Sequence, residues 1–220
     1  MKFGDDERGR RRESYHHGNL REVLIAAALT LIAERGPAGF TFAEVARAAG
    51  VSPAAPYRHF RDRNALVAEL ARQGFERFTA DLESAWNGGR PDPIAALENC
   101  GRAYLAFARR EPASYAAMFE TGFALEEDAM LLAASERAFA VLRRAADRVC
   151  DLHKTGSGGS PRPPALMVAL HIWAMAHGIA SLFVGRLDTA RRKLPMTPEE
   201  LLESGVLIYL QSLAIIPAGE

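Results

Sequence analysis

The sequence predicts an all-α protein, and three observations carry that prediction. No stretch of the 220 residues keeps up the apolar-polar alternation of a half-buried strand, and no Asn-Gly or Asp-Gly pair joins two β-branched runs as a tight hairpin does. Apolar residues recur instead at three- and four-residue steps, the period that lines one face of a helix. Capping and stop signals punctuate these runs. With 49% of its residues apolar, the chain can bury a sizeable core. The helices group as three near the N-terminus and a larger helical bundle after them.

The first helix follows Asn19, with Leu20, Val23, Leu24, Ala28, Leu31 and Ile32 on one face, and Gly36, Pro37 and Gly39 end it. The second opens with Thr41-Phe-Ala-Glu44, a capping box in which the Thr41 hydroxyl and the Glu44 carboxylate each take a backbone amide, and Phe40 and Val45 hold the staple positions. Gly50 closes it. Ser52 starts the third as N-cap, with Pro53 at the first helical position, where a missing amide costs nothing. Pro56 deletes the bond to the Ser52 carbonyl and distorts the first turn. A long helix runs from Asp62 to Trp86 and stops at Asn87-Gly-Gly-Arg-Pro. Further helices are predicted over 93–109, 112–119, 126–153, 164–186 and 198–215, the last behind a second capping box and staple, Thr197-Pro-Glu-Glu200 between Met196 and Leu201. Residues 154–163 are rich in Gly, Ser and Pro and read as a mobile surface loop. The predicted organisation is an arm over 1–14, a three-helix unit over 15–62 and a helical body over 63–220.

Two short helices joined by Ala49-Gly50-Val51-Ser52 have the spacing of a helix-turn-helix, whose second helix enters the major groove of DNA. Here that helix is 53–60. Ala54 and Ala55 permit close approach, and Tyr57, Arg58 and His59 offer donors to phosphates or base edges. Phe60 reads as an anchor to the core. Charge supports the same end of the chain. Between Arg8 and Arg63 ten arginines face five carboxylates, while the whole chain is neutral. A basic head on an acidic body suits a polyanion at the head. Arg10, Arg11 and Arg12 read either as an arm for the minor groove or as a solvated tail.

The run TFAEVARAAGVSPAAPYRHFRDRNAL resembles the signature of the DNA-binding domain in TetR/AcrR-type bacterial transcription regulators. The resemblance implies phosphate contacts from Thr41, Tyr57, His59 and Arg63, the last where the family usually has Lys. It also implies base reading from Pro53, Ala54 and Ala55, which offer only apolar contacts such as those to thymine methyls; Ser52 and Arg58 lie on the same segment. Downstream, Tyr104-Leu-Ala-Phe-Ala, residues 112–119 and the Trp173 to Gly178 run resemble the C-terminal domain known by a Trp, His and Gly motif. Together the two similarities span residues 15–215. They imply a homodimer on a palindromic operator in double-stranded DNA, and a small-molecule effector bound among the central helices that releases a repressor. Activation stays open. Tyr104, Phe107, Phe119, Phe123, Trp173 and His177 are core residues first and candidate pocket residues second. His177 needs a partner, either a neighbouring helix or a ligand.

Two other readings stand beside this one. An adaptor of the same fold would bind a protein in place of DNA. A helical-bundle enzyme would use His177 or the acids Glu126, Glu127 and Asp128, but the chain has no Glu-x-x-His pair, phosphate-cradling glycine loop or nucleophile elbow, so no catalysis and no cofactor are expected. No metal site is expected either. His16 and His17 are adjacent on a lead-in segment, His171 and His177 fall on different helical faces, and Cys100 and Cys150 match no Cys-x-x-Cys spacing and read as free buried thiols. No run of eighteen apolar residues appears, and the first nineteen residues carry charges where a signal peptide is apolar, which predicts no membrane partner and a cytoplasmic protein. The helix over 164–186 and the last helix are apolar on most sides, so a second copy of the chain is expected to cover them.

Overall fold

The computed structural model describes residues 20–122, 128–153, 162–183 and 195–217. Arg10 to Arg12, Phe123, Glu126, Glu127 and most of the 154–163 loop lie outside them. Every regular element among the described residues is helical. They are α1 (Leu20–Arg35), α2 (Phe42–Ala48), a 3₁₀ turn (Pro56–Arg58), α3 (Arg63–Trp86), a second 3₁₀ turn (Asn87–Gly89), α4 (Pro93–Arg110), α5 (Pro112–Phe119), α6 (Ala129–Cys150), α7 (Ala165–Phe183) and α8 (Pro198–Ser212). The N-terminal elements form the helix-turn-helix, and the remaining helices form the larger bundle.

Local chemistry explains most of the boundaries. The Glu44 amide donates to the Thr41 hydroxyl at 3.3 Å, and the Thr41 amide donates to the Glu44 carboxylate at 2.8 Å, while Phe40 and Val45 are buried. At the other end of α2 the Val51 amide reaches back to the Ala46 carbonyl and Gly50 to Arg47, a Schellman exit made possible by Gly50 at φ 69°. Asp62 caps α3 by accepting from the Ala65 amide at 2.8 Å. Asp128 accepts from the Met130 and Leu131 amides, so α6 begins at Ala129 instead of Glu126. The second capping box is formed at Thr197 and Glu200, although Met196 stays exposed and seals no staple.

The third predicted helix is corrected. Residues 53–60 form a turn and the 3₁₀ segment Pro56–Arg58, not an α-helix capped by Ser52. Pro56 has no amide to give the Ser52 carbonyl, which accepts instead from Ala55 at 2.9 Å, and the i to i+3 pattern continues through Arg58 and His59. Pro56 is buried and fixes this geometry from inside.

α3 is the spine, flanked by α1, α4, α5 and α6, with α7 closing on α4 and α6 and α8 on α4 and α7. Buried apolar residues from Leu24 to Ile215 make one continuous cluster through these layers. Glu69, mid-α3, ties the layers at the head end, receiving Arg21 of α1 at 2.8 Å as well as Arg72 and Gln73 of its own helix. Burial would raise its pKa, but these three donors outweigh that and bring it to about 2. α7 has no charged residue and a mean hydropathy of 1.7; it is long and apolar enough to cross a membrane, yet 28% of its most apolar window is buried in this chain. Leu166, Leu170, Trp173 and Leu182 on α7 and Ile208 on α8 are therefore left exposed.

Candidate functional site

The turn and the 3₁₀ segment present one polar face. Ser52, Pro53, Ala54, Tyr57, Arg58 and His59 are exposed, Ala55 is half-buried, and Phe60 is buried as the anchor. Tyr57 is 62% exposed, and its ring stands edge-on to buried Phe42 at 4.9 Å, so α2 sets the direction of the phenol. Thr41 lies exposed at the start of α2, with its hydroxyl in the capping box. The two acids in this stretch are already engaged. The Glu44 carboxylate is held at about 2 by the Thr41 amide first, then Arg35 and the Thr41 hydroxyl, and Asp62 is held below its ordinary value by the Ala65 amide and Arg61. Arg47, Arg58 and Arg61 are exposed, so the face keeps a positive surplus.

Arg63 is placed differently from a free phosphate-gripping fork. Its Nε donates to the Phe40 carbonyl at 3.0 Å, and its guanidinium lies over the Phe40 ring, 4.7 Å from the centroid. Nη1 reaches Asn64 at 3.3 Å, which leaves Nη2 for anything outside. The side chain thus clamps the loop before α2 to the start of α3.

Farther along α3 the bundle forms a cavity of about 520 Å³, partly open to solvent and of a size typical of small-molecule sites. Its walls are aromatic: Phe75 and Phe78 from α3, Tyr104 from α4, Phe119 from α5, Phe139 from α6 and Trp173 from α7. Of the sequence candidates, Tyr104, Phe119 and Trp173 line it. Phe107 is fully buried behind the wall, 5.0 Å from Phe78. His177 stands one turn beyond Trp173, where Tyr104 and Tyr115 hydroxyls meet its Nδ1 at 3.1 and 2.8 Å and Phe119 lies edge-on at 4.9 Å. Burial depresses its pKa and raises those of both tyrosines, which favours a neutral cluster linking α4, α5 and α7. His171 bonds Tyr209 on α8 instead, at 2.8 Å. Cys100 and Cys150 are free and buried, and burial, aided by Glu83, pushes the Cys100 thiol up to about 12. Among the described residues no three His, Cys, Asp or Glu side chains are grouped to hold a metal.

Residues 24–70 match the family of bacterial regulatory proteins named for TetR, and residues 97–207 match the family described as tetracyclin repressor-like, C-terminal domain. The chain belongs to the TetR family. It is a ligand-responsive transcription regulator and not an enzyme. A protein of unknown function from Rhodococcus sp. RHA1 is 32% identical, over 91% of this chain and 98% of that one, with a TM-score of 0.72. The TetR-family transcriptional regulator PfmR from Thermus thermophilus shares the fold at 19% identity, 86% and 97% coverage and a TM-score of 0.64. So does AibR, solved in complex with isovaleryl coenzyme A and operator DNA, at 18% identity, 86% and 96% coverage and a TM-score of 0.61. Comparison with curated proteins gives no match.

Several features of this TetR-family chain escape sequence reasoning. Phe75, Phe78, Phe139 and Glu136 line the cavity, but in sequence the phenylalanines are ordinary members of buried helical stripes and Glu136 an ordinary surface acid. The Arg63 clamp joins residues 23 apart, and the Arg21–Glu69 pair joins separate helices, so no local pattern encodes either.

Proposed function

We propose that the protein is a homodimeric repressor that leaves a palindromic operator when a small molecule fills the cavity. One observation carries this reading: α3 begins at the DNA-facing end with Arg63 and, on the same rigid helix, supplies Phe75, Phe78 and Leu82 to the cavity. Its 24 residues span about 36 Å, so a small tilt imposed at the cavity moves the recognition turn. Residues 15–62 act as the DNA-binding unit and 63–220 as the sensing and pairing unit. Tyr57, His59, Thr41 and the free Nη2 of Arg63 hold phosphates, with Ser52 and Arg58 beside them. Pro53, Ala54 and Ala55 meet base edges, and Arg10 to Arg12, outside the described residues, are proposed as contacts to the minor groove. AibR, solved in complex with isovaleryl coenzyme A and operator DNA, is a precedent for one chain of this fold carrying both a ligand site and an operator site, though not for release.

A second copy of the chain covers the exposed apolar residues of α7 and α8, which removes the membrane reading of α7 and fits a cytoplasmic protein. Trp173, His177 and Gly178 also favour the Trp-His-Gly type of sensing domain, since the first two stand at the cavity wall and behind it. Two-fold pairing sets the recognition turns about 34–36 Å apart, one turn of DNA. Release then depends on the ligand's preference for a dimer in which that spacing is lost. Selection of bound fragments from genomic DNA, followed by footprinting, tests the proposal. The expected result is a palindrome protected on two successive major grooves; enrichment of no common sequence contradicts it and favours the adaptor reading.

A further inference from the structure

The hydrogen-bonding groups around the cavity are unevenly supplied, and the imbalance selects a ligand by charge. Cys100 Sγ donates to the Leu82 carbonyl at 3.7 Å, Ser135 Oγ donates to the Leu132 carbonyl at 2.8 Å, and the Tyr104 hydroxyl is engaged by His177. Thr121 is the remaining hydroxyl among the described lining residues, and none of those residues is Lys, Arg or His. Among the described lining residues there is one charge, the Glu136 carboxylate of α6. Its neighbour Arg137 turns away to Glu76 at 3.7 Å, and Glu136 makes no ion pair among the described residues. Glu136 is exposed, so the carboxylate keeps its water in the free protein and no buried charge has to be maintained.

An anion entering this space exchanges water for the electron-rich faces of aromatic rings, with a carboxylate nearby and, among the side chains of the described lining residues, only the Thr121 hydroxyl and the Trp173 indole N–H left to donate to it. A cation meets the reverse, since ring faces attract positive charge and the carboxylate supplies the counter-ion. Phe75, Phe119, Phe139 and Trp173 stand on four different helices around that space, so a compact apolar body can be enclosed from several sides. We propose that the effector is an organic cation with an apolar, aromatic-sized body, its charge placed against Glu136. The inference rests on the cavity being the effector site.

Tetraphenylphosphonium and tetraphenylborate, ions of nearly equal size and opposite charge, separate charge from shape when each is titrated into the full-length protein by calorimetry. The phosphonium is expected to bind at least about tenfold more tightly than the borate, the sum of an exposed ion pair and one or two ring contacts. Glu136→Gln is expected to bring the two within about threefold of each other. Equal affinities, a preference for the borate, no binding of either ion, or an unchanged ratio in Glu136→Gln overturns the proposal. Operator binding is measured on the same preparation without either ion. Its loss counts against the regulator reading, whereas intact operator binding with the wrong charge preference overturns this inference alone.

Discussion

Arg63 separates two roles that the family pattern merges, fastening the fold and touching DNA. A charge-assisted bond from Nε to the Phe40 carbonyl at 3.0 Å on a half-buried group contributes about 1.5 kcal/mol, and the guanidinium 4.7 Å from the Phe40 centroid adds about 0.5 kcal/mol. Arg63→Ala therefore destabilises the protein by about 2 kcal/mol. Arg63→Lys loses the planar stack and the fixed Nε donor but keeps the charge, and costs about 1 kcal/mol. Urea unfolding followed by circular dichroism reads both as lower midpoints at unchanged slope. On DNA the two variants diverge. Each phosphate contact contributes about 0.9 to the slope of log affinity against log salt, so Arg63→Ala lowers the slope by about that amount and Arg63→Lys leaves it near the wild-type value. A wild-type urea midpoint for Arg63→Ala refutes the clamp, and a wild-type salt slope refutes the phosphate contact.

Four further outcomes follow from the same geometry. Thr41→Ala removes half of the capping box and costs about 1 kcal/mol in urea unfolding. Glu44 is held at about 2 in the folded protein against an ordinary value of 4.5, so its stabilisation is complete above the ordinary value and drains away as pH falls toward 2; Glu44→Gln flattens that limb of a stability-against-pH curve. His177 has its pKa depressed by burial, so the unfolded chain binds the proton more readily and stability falls as pH drops through the ordinary histidine range near 6.5; His177→Gln shows a shallower fall over that window. Phe107→Ala costs about 3–5 kcal/mol and changes tetraphenylphosphonium affinity little, whereas Phe119→Ala, in the cavity wall, weakens binding by a larger factor than it lowers stability.

The helices and their caps were legible because their causes are local. Thr41 with Glu44, and Thr197 with Glu200, announce a start within four residues, and Gly50 announces an end by supplying the left-handed conformation its neighbours resist. Pro56 was legible as a disturbance but not as a 3₁₀ segment, since the outcome depends on its burial against the rest of the head. The cavity was half legible. Periodicity marks Tyr104, Phe107 and Phe119 equally as inward-facing, but whether an inward face meets another side chain or open space is decided by helices far away in sequence. Phe107 meets Phe78, three residues from Tyr104, which faces the space. Glu136 gave no signal because an acid on an outer helical face normally means solvent and nothing more. The exposed side of α7 was legible from its composition, 19 residues without a charge, which no chain of this size buries by itself at its surface.

Fluorescence anisotropy of wild type and Tyr57→Ala on the DNA flanking the protein's own gene, across a salt series, tests the central claim most directly. Tyr57 is exposed, and its loss removes one edge contact to Phe42, so the variant keeps its fold. The account predicts tight binding by wild type that weakens steeply with salt and is lost in the variant. Binding equal to that on random DNA, or binding that Tyr57→Ala leaves intact, contradicts it.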